Sequence, residues 1–351
     1  MQNDTKQKVM VTGATGYVAG WIIKKLLEEG HSVHATVRNP DNREKLAHLT
    51  GMAENTEGSI HFFKADLLNP GDFAEAMQGC QLVFHTASPF TTSVKDAQKE
   101  LIDPAVRGTE NVLKEVNKAE SVKRVVLTSS CAAIYTDAID TQRAPNHKIT
   151  EDIWNTTASL DYQPYALSKT LAEKKAWEMA EEQNRWKLVT INPSLVMGPA
   201  LNKGKVTSES YNLLEQMGDG TMRFGGPKVG IGMVDVRDVA EAHYRAGFHP
   251  EAEGRYITSA HNSNFLELAQ SLIPKYGKDY PLPKRPMPKW LLMLVGPMIN
   301  NNLSRDYIRN NVNIPFQADN SKIQKELNME FRPMRETMED AFADLIERGR
   351  V

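Results

Sequence analysis

Residues 11–21, VTGATGYVAGW, narrow the possible folds more than any other stretch of this chain. They join an apolar, β-branched run at residues 9–12 to a helical pattern over about 17–29. Glycines in that context mark a strand-to-helix turn suited to an anion. Gly13 allows the tight turn, and Gly16 lets the backbone approach a pyrophosphate at the helix N-terminus. The third position of the spacing is Ala19, small enough for close helix-to-strand packing. A plain turn also takes glycines, but strand, loop and helix in this order favour dinucleotide binding.

The alternation continues, with strands expected at 32–37, 60–63, 82–85, 124–128 and 188–191 and intervening segments long enough for crossover helices. That pattern predicts an α/β fold, a Rossmann-type doubly wound parallel sheet. After about Pro193 the regularity loosens into glycine-rich (Gly225, Gly226, Gly230, Gly232) and proline-rich (Pro281, Pro283, Pro286, Pro288) stretches. Residues 1–193 therefore read as the dinucleotide-binding domain. Residues 194–351 read as mainly a smaller substrate-binding lobe over the carboxyl ends of the strands, with some segments returning to the first domain. The apolar run 290–299 is about half the length of a membrane span and reads as a buried or lid helix.

The second strand settles which dinucleotide is expected. A site specific for NAD ends this strand with an acid that bonds the ribose hydroxyls, whereas this chain places Arg38 there. Arginine suits a 2′-phosphate, and Lys45 offers a second cation. NADPH/NADP+ is the expected cofactor. Asp66 and Leu67, after the third strand, are expected to flank the adenine, although a capping role for Asp66 fits its spacing almost as well.

Hydride transfer to a carbonyl needs a proton donor at the oxygen and a group that holds the developing charge. Phenols titrate near pH 10 in water, so proton delivery near neutrality calls for a neighbouring cation. Tyr165 and Lys169 stand at i and i+4 on a helical pattern, on one helix face. Thr128, Ser129 and Ser130 close a buried strand facing the same cleft, and Ser130 is chosen to hold the carbonyl oxygen. A tyrosine and lysine at this spacing are common in exposed helices. The order of glycine loop, Arg38, strand-end serines and Tyr165–Lys169 is what favours chemistry.

Composition removes other classes. Lys+Arg 42 against Asp+Glu 44 leaves a formal net charge of -2, with no basic field for nucleic acid or an anionic membrane. Cys80 and Cys131 form neither a disulfide framework nor a metal site. Residues 1–8 are polar and lack the apolar region of a signal peptide, so a cytoplasmic location is expected. The expected partner is a small-molecule carbonyl substrate, for a monomer or homodimer.

The stretches VTGATGYVAG, VRNPDNREKLAHL, FFKADLLNPGDF, VFHTASPF, LTSSCAAIY, YALSKTLAEKKAW, INPSLVMGP and MVDVRDVAEAH carry a resemblance to a known family. Over nearly its whole length the chain resembles the extended short-chain dehydrogenase/reductases. Within them it is similar to the branch of dihydroflavonol reductases, cinnamoyl-CoA reductases and methylglyoxal/ketone reductases. The resemblance implies that Thr15, Gly16, Tyr17 and Val18 contact the dinucleotide, that Arg38 and Lys45 hold its 2′-phosphate, and that Asp66 and Leu67 face its adenine. It further implies that Thr86, Ala87 and Ser88 pass beneath the cofactor, that Pro193 to Val196 flank the nicotinamide, and that Ser208 approaches the phosphates. The family's catalytic group maps onto Ser130, Tyr165 and Lys169.

The chain departs from the family at Asn39, where Asp is frequent, and in SLDYQPYALSK, which lacks the cysteine- and tryptophan-rich pattern of cinnamoyl-CoA reductases. An aldehyde or ketone reductase for small aromatic or aliphatic carbonyls is therefore expected. Phe90, Ile134, Tyr135, Met197, Tyr211 and Met217 are candidate substrate contacts, each as suited to a core position. Asp238 reads as a helix cap. Three alternatives share the fold: a nucleotide-sugar epimerase or dehydratase, a 3β-hydroxysteroid-type dehydrogenase, and a non-catalytic dinucleotide sensor. Arg38 argues against the first two, and the retained Tyr165 and Lys169 argue against the third.

Overall fold

Strands buried on both faces dictate the architecture. In the computed structural model, which describes residues 6–88, 95–202, 204, 206, 208–299 and 303–351, seven strands form one parallel sheet. In chain order the strands are β1 (Lys8–Val11), β2 (Ser32–Val37), β3 (Ser59–Lys64), β4 (Leu82–His85), β5 (Arg124–Thr128), β6 (Lys187–Pro193), β7 (Leu195–Met197), β8 (Gly230–Asp235), β9 (Gly254–Thr258) and β10 (His261–Asn264). The large sheet runs β3-β2-β1-β4-β5-β6-β9, and β10-β8-β7 form a second, three-stranded sheet.

Alternation along each strand feeds two apolar layers, as the period of two requires. Val9 and Val11, Leu82 and Phe84, and Val126 face one layer; Met10, Val83, Val125 and Leu127 face the other. The first layer is closed by helices α1 (Tyr17–Glu28), α2 (Arg43–Glu54) and, late in the chain, α8 (Val236–Phe248). The second is closed by α3 (Ala74–Met77), α4 (Asp103–Lys118) and α6 (Pro164–Glu181). Helix α1 buries Ala19, Ile22, Ile23, Leu26 and Leu27, a stripe at helical spacing in which each Leu or Ile contributes about 1.5–3 kcal/mol. Two further helices, α5 (Ala138–Arg143) and α7 (Glu209–Gly218), belong to the loops and lobe above the sheet.

Strand order reverses direction between β1 and β4, and a crevice opens there at the carboxyl ends of the strands. The glycine loop follows β1, residues 86–88 follow β4, and the serines follow β5, so all three reach that crevice. Met197, Tyr211, Leu214, Met217, Met233, Leu268 and Phe342 form a separate core for the second lobe.

Two expectations change. Asp235, not Asp238, caps α8, accepting from the Arg237 N–H at 2.8 Å. Asp238 lies buried in the first turn and pairs with Arg332. The apolar run 290–299 is a helix, Lys289–Ile299, but only one side is covered: Trp290, Leu294 and Met298 are exposed, while Leu292 packs on Val229, Ile308 and Val312. No helix among the described residues is long and apolar enough to cross a membrane.

His243 ties α8 to β5. Its Nδ1 donates to the Val239 carbonyl at 2.7 Å, so Nε2 accepts from the Thr128 hydroxyl at 2.6 Å and the ring is neutral. Burial pushes its pKa down to about 4. An unfolded histidine takes up its proton near pH 6.5, so this contribution to stability is complete above that pH and is lost as pH falls toward 4. The stability difference between wild type and His243→Gln should therefore narrow by about 2 kcal/mol between pH 7 and pH 4.5. Chemical denaturation across that range checks it, and a pH-independent difference contradicts it.

Candidate active site

Gly13 adopts φ +66°, and a Cβ there would stand 3.0 Å from Cα and Cβ of Ala87. The loop after β1 and the loop after β4 thus meet at van der Waals contact, which only glycine permits. Thr12 locks the same junction. Its hydroxyl oxygen accepts from the Thr86 N–H at 3.1 Å and the Ala87 N–H at 3.0 Å, and its proton goes to Nδ1 of His85 at 2.9 Å. Gly16 opens α1 with no side-chain cap and no acid in the first turn. The unpaired N–H groups there carry partial positive charge and suit a phosphate.

Thr15 and Val18 lie partly exposed beside this turn. Tyr17 has a second task that the sequence did not suggest: its hydroxyl donates to the Gly198 carbonyl at 2.7 Å and its ring stands edge-on to Tyr211. With the bond from Trp21 Nε1 to the Pro199 carbonyl at 2.9 Å, it fastens the second lobe to α1.

Arg38 leaves the end of β2 exposed, and Lys45 is exposed in the first turn of α2. Neither side chain has an acidic partner among the described residues, so both are free to meet an anion. Asp66 forms a turn: one carboxylate oxygen accepts from the Leu68 N–H at 2.9 Å, while its own N–H donates to Asp72. The Leu67 carbonyl takes Nδ2 of Asn111 at 2.8 Å, fixing that loop against α4. A cradle that excludes a Cβ, a bare helix N-terminus and two unpaired cations fit a dinucleotide carrying an extra phosphate.

Helix α6 starts abruptly, with Gln163 at φ 55° and Pro164 in the first turn. Tyr165 follows at once, 40% exposed at the positive end of the helix. The Lys169 ammonium lies 5.9 Å from the centroid of its ring. Beneath, burial pushes the His85 pKa down to about 3, reinforced by the nearby Lys169 charge. His85 is therefore neutral and leaves the lysine as the cation at this point.

The three hydroxyls at the end of β5 have different fates. Thr128 bonds His243, and Ser129 turns into the protein to donate to Glu173. Ser130, extended at φ -163° and ψ 154°, accepts from the Ala132 N–H at 3.1 Å, and among the described residues its own proton has no acceptor. The turn Cys131–Ala133 packs directly on α6, bringing Ser130 to the helix that carries Tyr165 and Lys169. Sequence reasoning missed Glu173, four residues beyond Lys169, which lies fully buried under this group.

The remaining candidates scatter. Thr86, Ala87 and Ser88 line the crevice after β4, and Pro193 ends β6 with Val196 partly exposed just beyond. Ser208 caps α7, accepting from the Ser210 N–H. Tyr135 packs against Phe316, and Ile134 is 2% exposed beside it. Met197, Tyr211 and Met217, expected at the substrate, are instead enclosed in the core of the second lobe at 1%, 1% and 0% exposure, with the Tyr211 hydroxyl bound to Asp344. Phe90 lies outside the described residues.

Known proteins share the sequence and the fold. Residues 9–258 match the NAD dependent epimerase/dehydratase family. A tetraketide alpha-pyrone reductase of Arabidopsis thaliana is 38% identical over 99% of this chain and 98% of its own length. A cinnamoyl-CoA reductase of Medicago truncatula is 42% identical, covering 76% of this chain and 81% of its own. The crystal structure of yeast methylglyoxal/isovaleraldehyde reductase complexed with NADPH superposes with a TM-score of 0.78 at 29% identity, covering 98% of this chain and 100% of that one. The chain belongs to the NAD dependent epimerase/dehydratase family, the extended short-chain dehydrogenase/reductases, and its relatives there are reductases.

Proposed function

We propose that this protein is an NADPH-dependent reductase that converts a small aromatic or aliphatic aldehyde or ketone to the alcohol. One observation supports the reading most: the turn that follows Ser130 packs on α6, the helix that carries the exposed Tyr165 phenol and the Lys169 ammonium. NADPH, when bound, supplies the hydride for the carbonyl carbon. Ser130 donates a hydrogen bond to the carbonyl oxygen and orients it. Tyr165 gives that oxygen its proton, and Lys169 stabilises the phenolate left behind. Carbonyl, hydride and proton together make the alcohol, with NADP+ as the other product.

Arg38 and Lys45 support the phosphorylated cofactor, because a guanidinium bonds a 2′-phosphate through a planar pair of N–H donors. The family name includes epimerases, but Arg38 stands at the end of β2, where an NAD site uses an acid. Relatives named for reducing a tetraketide pyrone and a cinnamoyl thioester point to aromatic carbonyls.

Two variants test the assignment. Tyr165→Phe should lower kcat for NADPH-dependent aldehyde reduction by about 10²–10⁴-fold while NADPH still binds, measured by nicotinamide absorbance and by fluorescence titration. Retained turnover would remove Tyr165 from the chemistry. Arg38→Asp should raise KM for NADPH by about 10–100-fold, the worth of one charge-assisted contact, and leave KM for NADH unchanged or lower. Equal effects on both cofactors would rule out a role for Arg38 at the 2′-phosphate.

A further inference from the structure

Glu173 follows Tyr165 and Lys169 at the same four-residue interval, on the same face of α6. It is 1% exposed, and its carboxylate gathers donors from β6, β9, the residue after β5 and its own helix. Oε1 accepts from Arg255 Nε at 2.7 Å and Trp177 Nε1 at 3.3 Å, with Thr190 Oγ1 at 3.2 Å. Oε2 accepts from the Ser129 hydroxyl and Asn192 Nδ2 at 2.8 Å, with Arg255 Nη2 at 3.4 Å. Arg255 is satisfied on its far side by the carbonyls of Glu151 and Ile153 and lies over the Trp154 ring.

We propose that Glu173 is a positioning residue that holds Ser130 and Tyr165 in register with each other. The inference rests on the reductase reading of this crevice. On an extended backbone, neighbouring side chains point to opposite sides, so drawing the Ser129 hydroxyl under α6 turns Ser130 the other way, toward the cleft. Asn192 Nδ2, bound to the same carboxylate, also reaches the Ser130 carbonyl at 3.2 Å. The serine is thereby gripped, through Ser129 before it and through Asn192 at its own carbonyl, by the group that anchors α6 two turns below Tyr165. Apolar packing does not do this work. The buried residues in the first half of α6 are Ala166, Ser168 and Thr170, and the large apolar Met179 comes only near its end.

The test separates alignment from stability. Glu173→Gln leaves Arg255 as a buried unpaired cation and is expected to lower Tm. The double variant Glu173→Gln/Arg255→Met removes that charge and should recover most of the lost Tm. Its kcat with NADPH and an aromatic aldehyde should stay at least about tenfold below wild type, with KM for NADPH unchanged and faster hydrogen exchange at residues 128–134. Recovery of kcat together with Tm, or unchanged exchange, would overturn the proposal. If the double variant does not fold, Ser129→Ala decides: lower kcat at unchanged NADPH KM supports the proposal, and wild-type kcat overturns it. If the wild-type protein reduces no carbonyl, the reductase reading fails by itself. The exchange at 128–134, compared in wild type and whichever variant folds, then decides the positioning role alone.

Discussion

The buried ion pair between Glu173 and Arg255 is the interaction on which the rest of the site depends. Removing two charges from water costs several kcal/mol per ion, and their attraction offsets this only when the remaining donors and acceptors are satisfied. Here they are, because Arg255 spends its N–H groups on Glu173 and two backbone carbonyls, and Glu173 receives hydroxyl, amide and indole donors besides. Breaking such a pair by removing one member typically destabilises a fold by about 3–5 kcal/mol. The network is also directional in a way that apolar packing is not. It relates the end of β5, the middle of β6 and the start of β9 to one face of α6.

Around that anchor the crevice is assembled from junctions that each join two loops. Gly13 against Ala87, with the Thr12 hydroxyl accepting from two backbone N–H groups, locks the loop after β1 to the loop after β4. His85 continues from Thr12 toward Lys169 and stays uncharged, so it adds no repulsion to the ammonium beside Tyr165. Tyr17 and Trp21 tie α1 to Gly198 and Pro199, so the helix whose N-terminus suits a phosphate also holds the second lobe.

Much of this was legible in the sequence. Strands β2, β4 and β5 fall at 32–37, 82–85 and 124–128 as their β-branched runs predict, since parallel strands buried on both faces leave continuous apolar runs. The glycine loop was readable because a close approach at Gly13 admits no other residue. Other features turn on distance in space. Glu173 reads in sequence as one more helical charge, and apart from Trp177 its partners lie 17 to 82 residues away. Asp235 and Asp238 are equally good caps by type, and the choice depends on where the helix begins. Met197 and Tyr211 have side chains suited to a pocket or a core, and only packing against Phe342 and its neighbours decides. In the helix Lys289–Ile299, Trp290, Leu294 and Met298 share one face at a four-residue spacing, and composition does not say which face the fold covers.

Turnover with NADPH deuterated at the transferable position of nicotinamide C4 tests the central claim most directly. A carbonyl reductase slows with this cofactor and leaves deuterium on the carbinol carbon of the alcohol, with none in the oxidised cofactor. Deuterium retained on the cofactor after substrate has been converted would mean that the crevice does not deliver hydride to a carbonyl, and the reductase account would be wrong.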